Sequence, residues 1–444
     1  MRKKKEESFM EKQQTFLSAG LLSFQHVLAM FGATVLVPFI TGLNPSIALL
    51  GAGVGTLLFH LITGGKVPVF LGSSFAFIAG IMIVKENFGL AYATGSFIVV
   101  GAVYVLMAGI VYVVGPEKIK KVFPSIVTGP IIIVIGLILA PVAVDMASAN
   151  WTIAIITIIA IALTGILAKG FVRMIPIITG IAVGYIASIT MGIVDFTPVA
   201  NAPIIYGVKD FTGMMLAPKF SVDALKVIVP IALVTMIEHI GDITTNGAVV
   251  GKDFFKSPGL HRTLIGDGVA TAFAGLIGAP ANTTYGENTG VLAVTKNYNP
   301  AILRGAAVVA ILLSLIGKFG AVIQTIPVAV MGGVSFVLFG MIASIGVRTL
   351  VDSKPDLSDL RNSIVVFTIL IIGIVSIKGD ANPAVVPLTQ YASLSGLSLA
   401  AIIGVSLNAI INIIIPSFVS SKNEEAATME NQSAKMKLVM EKSK

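Results

Sequence analysis

Four acidic residues stand where carboxylates are hardest to keep. Most of the 22 Asp and Glu lie in polar stretches, but Glu238, Asp242, Asp267 and Glu287 fall inside long apolar runs or at their ends. A charged carboxylate at the centre of a membrane helix costs on the order of 3 kcal/mol. It therefore needs a partner, a proton or a ligand. Glu238 and Asp242 are four residues apart, so a helix stacks them on one face, which Gly241 leaves open. No Lys or Arg shares that run with them. Two like charges on one buried face repel, and such a pair suits proton uptake and release into an aqueous vestibule. Glu287 sits in TTYGEN, between Gly286 and Gly290. A glycine-flanked break exposes backbone N–H and C=O groups, which membranes tolerate only where they line a cavity or are buried in protein. His26 and His239 are also mid-run, where a neutral hydrogen-bonded imidazole and a ligand role are equally expected. Asp267, between two glycines and near Arg262, reads as a cap or an ion-pair partner.

These residues must be positioned by membrane helices. The 444-residue chain is 55% hydrophobic and only 12% charged, with mean hydropathy +0.95. Soluble domains carry about twice that share of charge, so a water-soluble enzyme is excluded. The apolar runs are continuous rather than alternating, which excludes a β-barrel. With no cysteine, disulfides, thiolate metal sites and cysteine nucleophiles are excluded as well.

Fourteen runs have a length that can cross a bilayer. The third (67–84) and tenth (282–297) are anomalous: short, rich in Gly, Ser, Thr and Asn, and preceded by proline. The positive-inside bias supports keeping the tenth. With the N-terminus inside, fourteen Lys and Arg fall in cytoplasmic loops, from Lys66 to Arg361, against six outside: Lys85, Lys209, Lys219, Lys226, Lys318 and Lys378. Dropping the tenth run would invert everything after it. Both termini are thus expected in the cytoplasm. The polar start MRKKKEESFMEKQQT lacks the apolar core of a signal peptide and reads as a tail.

A faint repeat relates the halves. Gln25–His26 in the first run matches Glu238–His239 in the eighth, and the broken third run matches the broken tenth. Pro124 with Gly129 likewise matches Pro327 with Gly332. Seven spans is an odd number, so the second copy must be inverted. Inverted repeats with interrupted helices point to a secondary transporter with its site near the midplane. Two broken segments crossing there would aim half-helix N-termini at one space.

That space offers carboxylate acceptors, backbone donors, and walls from Phe75, Tyr285 and Ala33. Without Lys or Arg, an anion is disfavoured. An amino acid would need partners for two charges. A flat neutral molecule with alternating N–H and C=O groups, such as a pyrimidine or purine dione, matches. Metal binding is weakly signalled, because adjacent Glu238 and His239 diverge by about 100° on a helix and no HExxH occurs. No Walker A sequence and no GxSxG elbow is present, so neither ATP-driven transport nor an intramembrane hydrolase is expected.

At these residues the chain resembles the nucleobase–ascorbate transporters (nucleobase:cation symporter 2), most closely the uracil permease branch. The family signature is an acid or Gln, Asn, any residue, Gly, four residues, Thr and a basic residue. Here it runs in full from Glu287, Asn288 and Gly290 to Thr295 and Lys296. Similar stretches include QHVLAMFGATVLVP (25–38), LGSSFAFIAG (71–80), EHIGD (238–242), PGLHR (258–262) and PVAVMGGVSF (327–336). The resemblance implies an all-α polytopic fold of fourteen segments as seven-plus-seven inverted repeats, with short antiparallel strands in the third and tenth. It implies a core domain (16–120 and 224–326) and a gate domain (121–223 and 327–415) between cytoplasmic tails 1–15 and 416–444. It further implies proton-coupled uptake of uracil across the cell membrane and a homodimer formed through the gate, with no cofactor, no resident metal and no nucleic-acid partner.

By resemblance, Glu238 and Glu287 hold the base through its N–H groups. Backbone groups at Phe75 and Gly286 meet its polar edge, Ala33, Phe75 and Tyr285 pack around it, and Ser74 is a further binding residue. Glu238, Asp242 and Glu287 serve proton coupling. Glu at 287 resembles the uracil branch, where purine and ascorbate members commonly carry Gln. Asp242 departs from the pattern, since well-known uracil permeases have a His implicated in proton coupling there. An acid also takes a proton, and the departure leaves Na+ coupling open. The alternatives are a xanthine or other nucleobase carrier and, more distantly, an anion exchanger or channel of the same fold, which would show Lys or Arg in its cavity.

Overall fold

The computed structural model of the protein describes residues 2–375, 385–387 and 393–415. The C-terminal tail 416–444 and the end of the thirteenth expected span, with Lys378, lie outside the described residues.

In the first half, α1 (Arg2–Thr41), α2 (Pro45–Ile62), β1 (Leu71–Ser73), α3 (Ile78–Asn87) and α4 (Leu90–Val114) come first. The surface helix α5 (Pro116–Val122) leads to α6 (Ser125–Ile138), α7 (Ala140–Ser148), α8 (Trp151–Leu167) and α9 (Pro176–Thr190). Two short helices, α10 (Thr197–Asn201) and α11 (Val208–Gly213), connect the halves. The second half holds α12 (Val222–Ile228), α13 (Ile231–Val250), α14 (Leu260–Ile277), β2 (Asn282–Thr284), α15 (Gly286–Thr295), α16 (Pro300–Ser314) and α17 (Gly317–Gln324). Then follow α18 (Val328–Ser353), α19 (Leu360–Val375), β3 (Val385–Pro387), β4 (Ser393–Ser395) and α20 (Gly396–Asn408). Among the described residues, six helical stretches are long and apolar enough to cross a bilayer on their own, among them Leu90–Val114 and Val328–Ser353. The protein is a multi-pass, predominantly helical membrane protein.

The packing repeats under exchange of the halves. Helix α2 packs on α16 as α4 packs on α14; α8 packs on α9 as α19 packs on α20; α6 packs on α18. These pairs are what two inverted copies generate. The two partners of the α2–α16 pair both start at an Asn-Pro step. The side chains of Asn44 and Asn299 accept from backbone N–H groups in the first turn, Ser46 at 2.8 Å and Ala301 at 3.0 Å. The proline needs no partner there.

Three expected spans are interrupted. The fifth breaks at Leu139, because Pro141 lacks the N–H that would bond back to Leu137. The eighth breaks at Val229–Pro230 for the same reason. The eleventh breaks at Leu315–Ile316, where the connection between the halves inserts its backbone: Tyr206 N donates to Leu315 O at 3.0 Å and Gly317 N to Ile204 O at 2.9 Å. The same connection is tied to α4 by Lys219 N donating to Ala91 O at 2.9 Å. The fourteenth expected span, 393–415, opens as a strand: β4 takes its first three residues and pairs antiparallel with β3, which lies before it.

Helices α4 and α14 approach closely through small residues, which lets van der Waals packing hold them in an apolar solvent. A Cβ on Gly268 would lie 2.5 Å from Tyr104 Cβ, and one on Gly101 2.7 Å from Ala272 Cβ. Gly268→Leu should therefore separate the pair and destabilise the protein by about 1–3 kcal/mol, the usual cost of overpacking. Thermal unfolding in detergent checks this; an unchanged midpoint would show that the interface yields freely.

Strands β1 and β2 pair antiparallel at the centre, Leu71 with Thr284, Gly72 with Thr283 and Ser73 with Asn282. Every residue of both strands is buried. Backbone groups there must find partners inside the protein. They do: Leu71 N donates to Thr56 Oγ1 (2.9 Å), Ser74 N to Ala281 O (2.8 Å) and Tyr285 N to Phe70 O (3.0 Å).

Candidate functional site

The strand crossing sets the geometry of the site. Each three-residue strand passes into a ten-residue half-helix, α3 after a short 3-10 turn at Phe75–Phe77 and α15 directly at Gly286. The first N–H groups of α15 have no intrahelical acceptor, and Gly286 and Glu287, which open that helix, line the cavity. Helix α13 passes behind, carrying Glu238 and Asp242 one turn apart. The resulting cavity is lined by Phe75, Ile132, Glu238, Asp242, Thr283, Thr284, Tyr285, Gly286, Glu287, Ile342 and Ile345. The structure thus brings together three of the four carboxylates that the sequence singled out, from two helices; Asp267 is not among the lining residues. Among these lining residues there is no Lys or Arg, the feature an anion site would require.

Asp242 Oδ2 accepts from Thr284 Oγ1 at 3.1 Å. Glu238 Oε2 is buried without a hydrogen-bond partner among the described residues. An unpartnered buried carboxylate oxygen is expensive and is satisfied by a proton or by a ligand's N–H. Tyr285 donates its hydroxyl to Ser73 O at 2.9 Å, which fixes its ring as a wall. Gly72 makes room for that ring: a Cβ there would lie 2.5 Å from Tyr285 Cε2. Phe75 is braced edge-to-face by Phe339 from α18, with centroids 5.8 Å apart. Gly286 faces open space, with only Ile345 and Asp242 within 4 Å of where its Cβ would be.

Two expected binding residues sit off the lining. Ala33 is buried on α1, and Ser74 is buried next to Phe75 with its hydroxyl unpartnered among the described residues. Five lining residues carried no expectation. Ile132 on α6 and Ile342 and Ile345 on α18 are apolar and resemble any core residue. Only the matched Pro–Gly openings of those two runs pointed to their helices. Thr283 and Thr284 belong to the quoted TTYGEN stretch without a role of their own.

Asn288 of the signature and Thr289 beside it are structural clamps. Asn288 is fully buried, and its Nδ2 donates to both Nδ1 and the backbone oxygen of His26 on α1, each at 3.0 Å. His26 is therefore the hydrogen-bonded imidazole of the two readings. Thr289 Oγ1 accepts from Asn246 Nδ2 at 3.1 Å, and the same amide donates to Pro68 O at 3.1 Å. Asp267 does not serve as a cap or reach for Arg262: its Oδ2 lies 2.9 Å from His239 Nδ1, with both side chains inaccessible to solvent. Among the described residues, no cluster of three or more His, Asp or Glu is arranged to hold a metal ion.

Comparison with known proteins agrees with this architecture. A family model described as Permease family matches residues 17–382. The probable uracil permease of Haemophilus influenzae is 41% identical over 401 residues, covering 88% of this chain and 94% of that protein. The uracil permease of Bacillus subtilis is 42% identical, covering 92% and 94%. That of Escherichia coli K12 is 41% identical, covering 86% and 90%. Among solved structures, the transmembrane domain of a cyanobacterial bicarbonate transporter, BicA, superposes with TM-score 0.60 at 14% identity, covering 81% of this chain and 96% of that one. The murine Solute Carrier 26 family member A9 anion transporter gives 0.63 at 11% identity, covering 90% and 68%. At such identities these two establish the shared seven-plus-seven inverted-repeat fold alone. By the extent of its match and its identity to these relatives, the chain belongs to the permease family of nucleobase–ascorbate transporters that includes the bacterial uracil permeases.

Proposed function

We propose that this protein takes up uracil, coupled to protons, by alternating access. The observation that carries the reading is the cavity itself. It presents Glu238 and Glu287 as acceptors, Phe75 and Tyr285 as aromatic walls, and no basic side chain. A neutral pyrimidine dione donates its N–H groups to those carboxylates and brings no charge that would need a basic side chain. The names of the relatives favour uracil over a purine, as does Glu rather than Gln at 287.

The cavity has two kinds of wall. Glu238, Asp242 and residues 283–287 come from the segments assigned to the core (16–120 and 224–326). Ile132, Ile342 and Ile345 come from those assigned to the gate (121–223 and 327–415). A site between two bodies opens alternately when one rocks against the other. In this reading, protonation of the Glu238/Asp242 pair removes the repulsion between two buried carboxylates and permits binding and rocking. Both termini face the cytoplasm, the membrane is the cell membrane, and two copies pair through their gates.

Radiolabelled uracil uptake into proteoliposomes tests this. Uracil should accumulate above its outside concentration when the outside is more acidic, and the rate should rise as outside pH falls. A protonophore should abolish accumulation, and Na+ should leave it unchanged. Accumulation that follows a Na+ gradient instead would reassign the coupling ion. Xanthine outcompeting uracil would reassign the substrate.

A further inference from the structure

Behind the cavity wall, α13 and α14 hold a second ionisable pair that the reading above does not use. His239 Nδ1 lies 2.9 Å from Asp267 Oδ2. The same nitrogen is 3.5 Å from Thr284 Oγ1, and that hydroxyl donates to Asp242 Oδ2 at 3.1 Å. A line of polar atoms thus runs from Asp267 through His239 and Thr284 to the carboxylate facing the cavity. Other elements enclose it. Phe59 from α2 packs edge-on against the imidazole, with centroids 6.5 Å apart. From α4, the buried hydroxyl of Tyr104 is close enough to feel the charge of Asp267. On α13 itself the ionisable neighbours are Glu238 and Asp242, with Glu287 at the start of α15 beyond them. Asp267 forms no ion pair with Lys or Arg among the described residues.

Hydrogen-bond direction assigns the protons. A hydroxyl has one hydrogen, and an ionised carboxylate only accepts. Thr284 gives its hydrogen to Asp242, so its oxygen can meet His239 only as an acceptor. That requires the hydrogen of His239 to be on Nδ1. Asp267 Oδ2 lies 2.9 Å from the same nitrogen without the alignment of a hydrogen bond, and an acceptor so close favours the same choice. With the hydrogen on Nε2, Nδ1 would instead compete with Asp242 for the Thr284 hydrogen.

We propose that His239 and Asp267 are positioning residues for the coupling carboxylate. The pair keeps a hydrogen on His239 Nδ1 and so keeps the Thr284 hydroxyl turned towards Asp242. The inference rests on Asp242 taking part in proton coupling.

Two measurements decide it. The chain has four histidines, so nitrogen-15 spectra of histidine-labelled protein in lipid can separate them. His239 is assigned by the signal lost in His239→Asn. It should show a protonated Nδ1, and Asp267→Asn should move that signal while leaving those of His26, His60 and His261 in place. A wild-type Nδ1 without a proton overturns the proposal. In uptake, Thr284→Val and His239→Leu should displace the pH midpoint and lower the rate by about tenfold, the worth of one charged hydrogen bond. His239→Asn, whose amide N–H replaces the Nδ1 hydrogen, should restore the wild-type midpoint. An unmoved midpoint in Thr284→Val, with only a lower maximal rate, would show that the pair merely packs. If wild-type uptake itself ignores pH, the coupling reading fails while the spectra still decide the position of the hydrogen.

Discussion

Glu238→Gln should abolish uracil accumulation while leaving the protein folded. Losing a charged acceptor costs about 1.5–3 kcal/mol of binding, or about 10- to 150-fold in affinity. The variant also loses the group that would carry the coupling proton, so what binding survives should no longer drive uptake against a gradient. Its unfolding temperature should match or exceed the wild type, because Glu238 Oε2 is a buried oxygen with no partner among the described residues and a neutral amide is cheaper to bury. Glu287→Gln should weaken binding comparably, since the two carboxylates flank the same cavity. Equilibrium binding, proteoliposome uptake and thermal unfolding on one preparation separate these effects. Wild-type accumulation by either variant would refute the site.

Asn288→Leu should have the opposite profile, a large loss of stability. The two hydrogens of its amide satisfy two acceptors of His26, both deep in the protein. Leucine fits the volume but leaves the imidazole nitrogen unpaired, at about 1–3 kcal/mol, and removes the second bond to a carbonyl that its own helix already engages. The contact ties the half-helix α15 to α1, so the carboxylate at 287 should also lose its position. We expect a variant that unfolds well below the wild type and binds uracil weakly even when folded. Wild-type stability would mean that His26 finds other donors.

Charge and spacing made the outline of this protein legible. The carboxylates at 238, 242 and 287 stood out because apolar surroundings make them costly, and the structure gathers them around one cavity. The weak tenth span was kept by the distribution of Lys and Arg, and it holds β2 and α15. What stayed hidden has physical reasons. The breaks at Leu139 and Val229–Pro230 lie in unbroken apolar composition, where one missing N–H decides the matter. Ile132, Ile342 and Ile345 line the cavity but carry no chemistry that distinguishes them from core. The His239–Asp267 contact joins two helices, and no spacing rule within one helix anticipates it. The hairpin of β3 and β4 is too short for alternation to show.

The pairing of β1 with β2 also bears on how the chain is made. Strand β1 leaves the ribosome about two hundred residues before the partner that accepts its backbone hydrogen bonds, a separation that slows folding. Until β2 arrives, the amides around Gly72 have no complete set of partners, and bare backbone is not tolerated in lipid. The first half must therefore wait at a wet or protein-lined place, such as the insertion machinery, as an unfinished intermediate. A nascent chain arrested before Asn282 should remain sensitive to proteases at residues 66–75, and one released after Thr295 should not. The cavity thus takes shape late in synthesis: Phe75 is translated early, but it waits for the residues at 238–287 and for Ile342 and Ile345 before it lines anything.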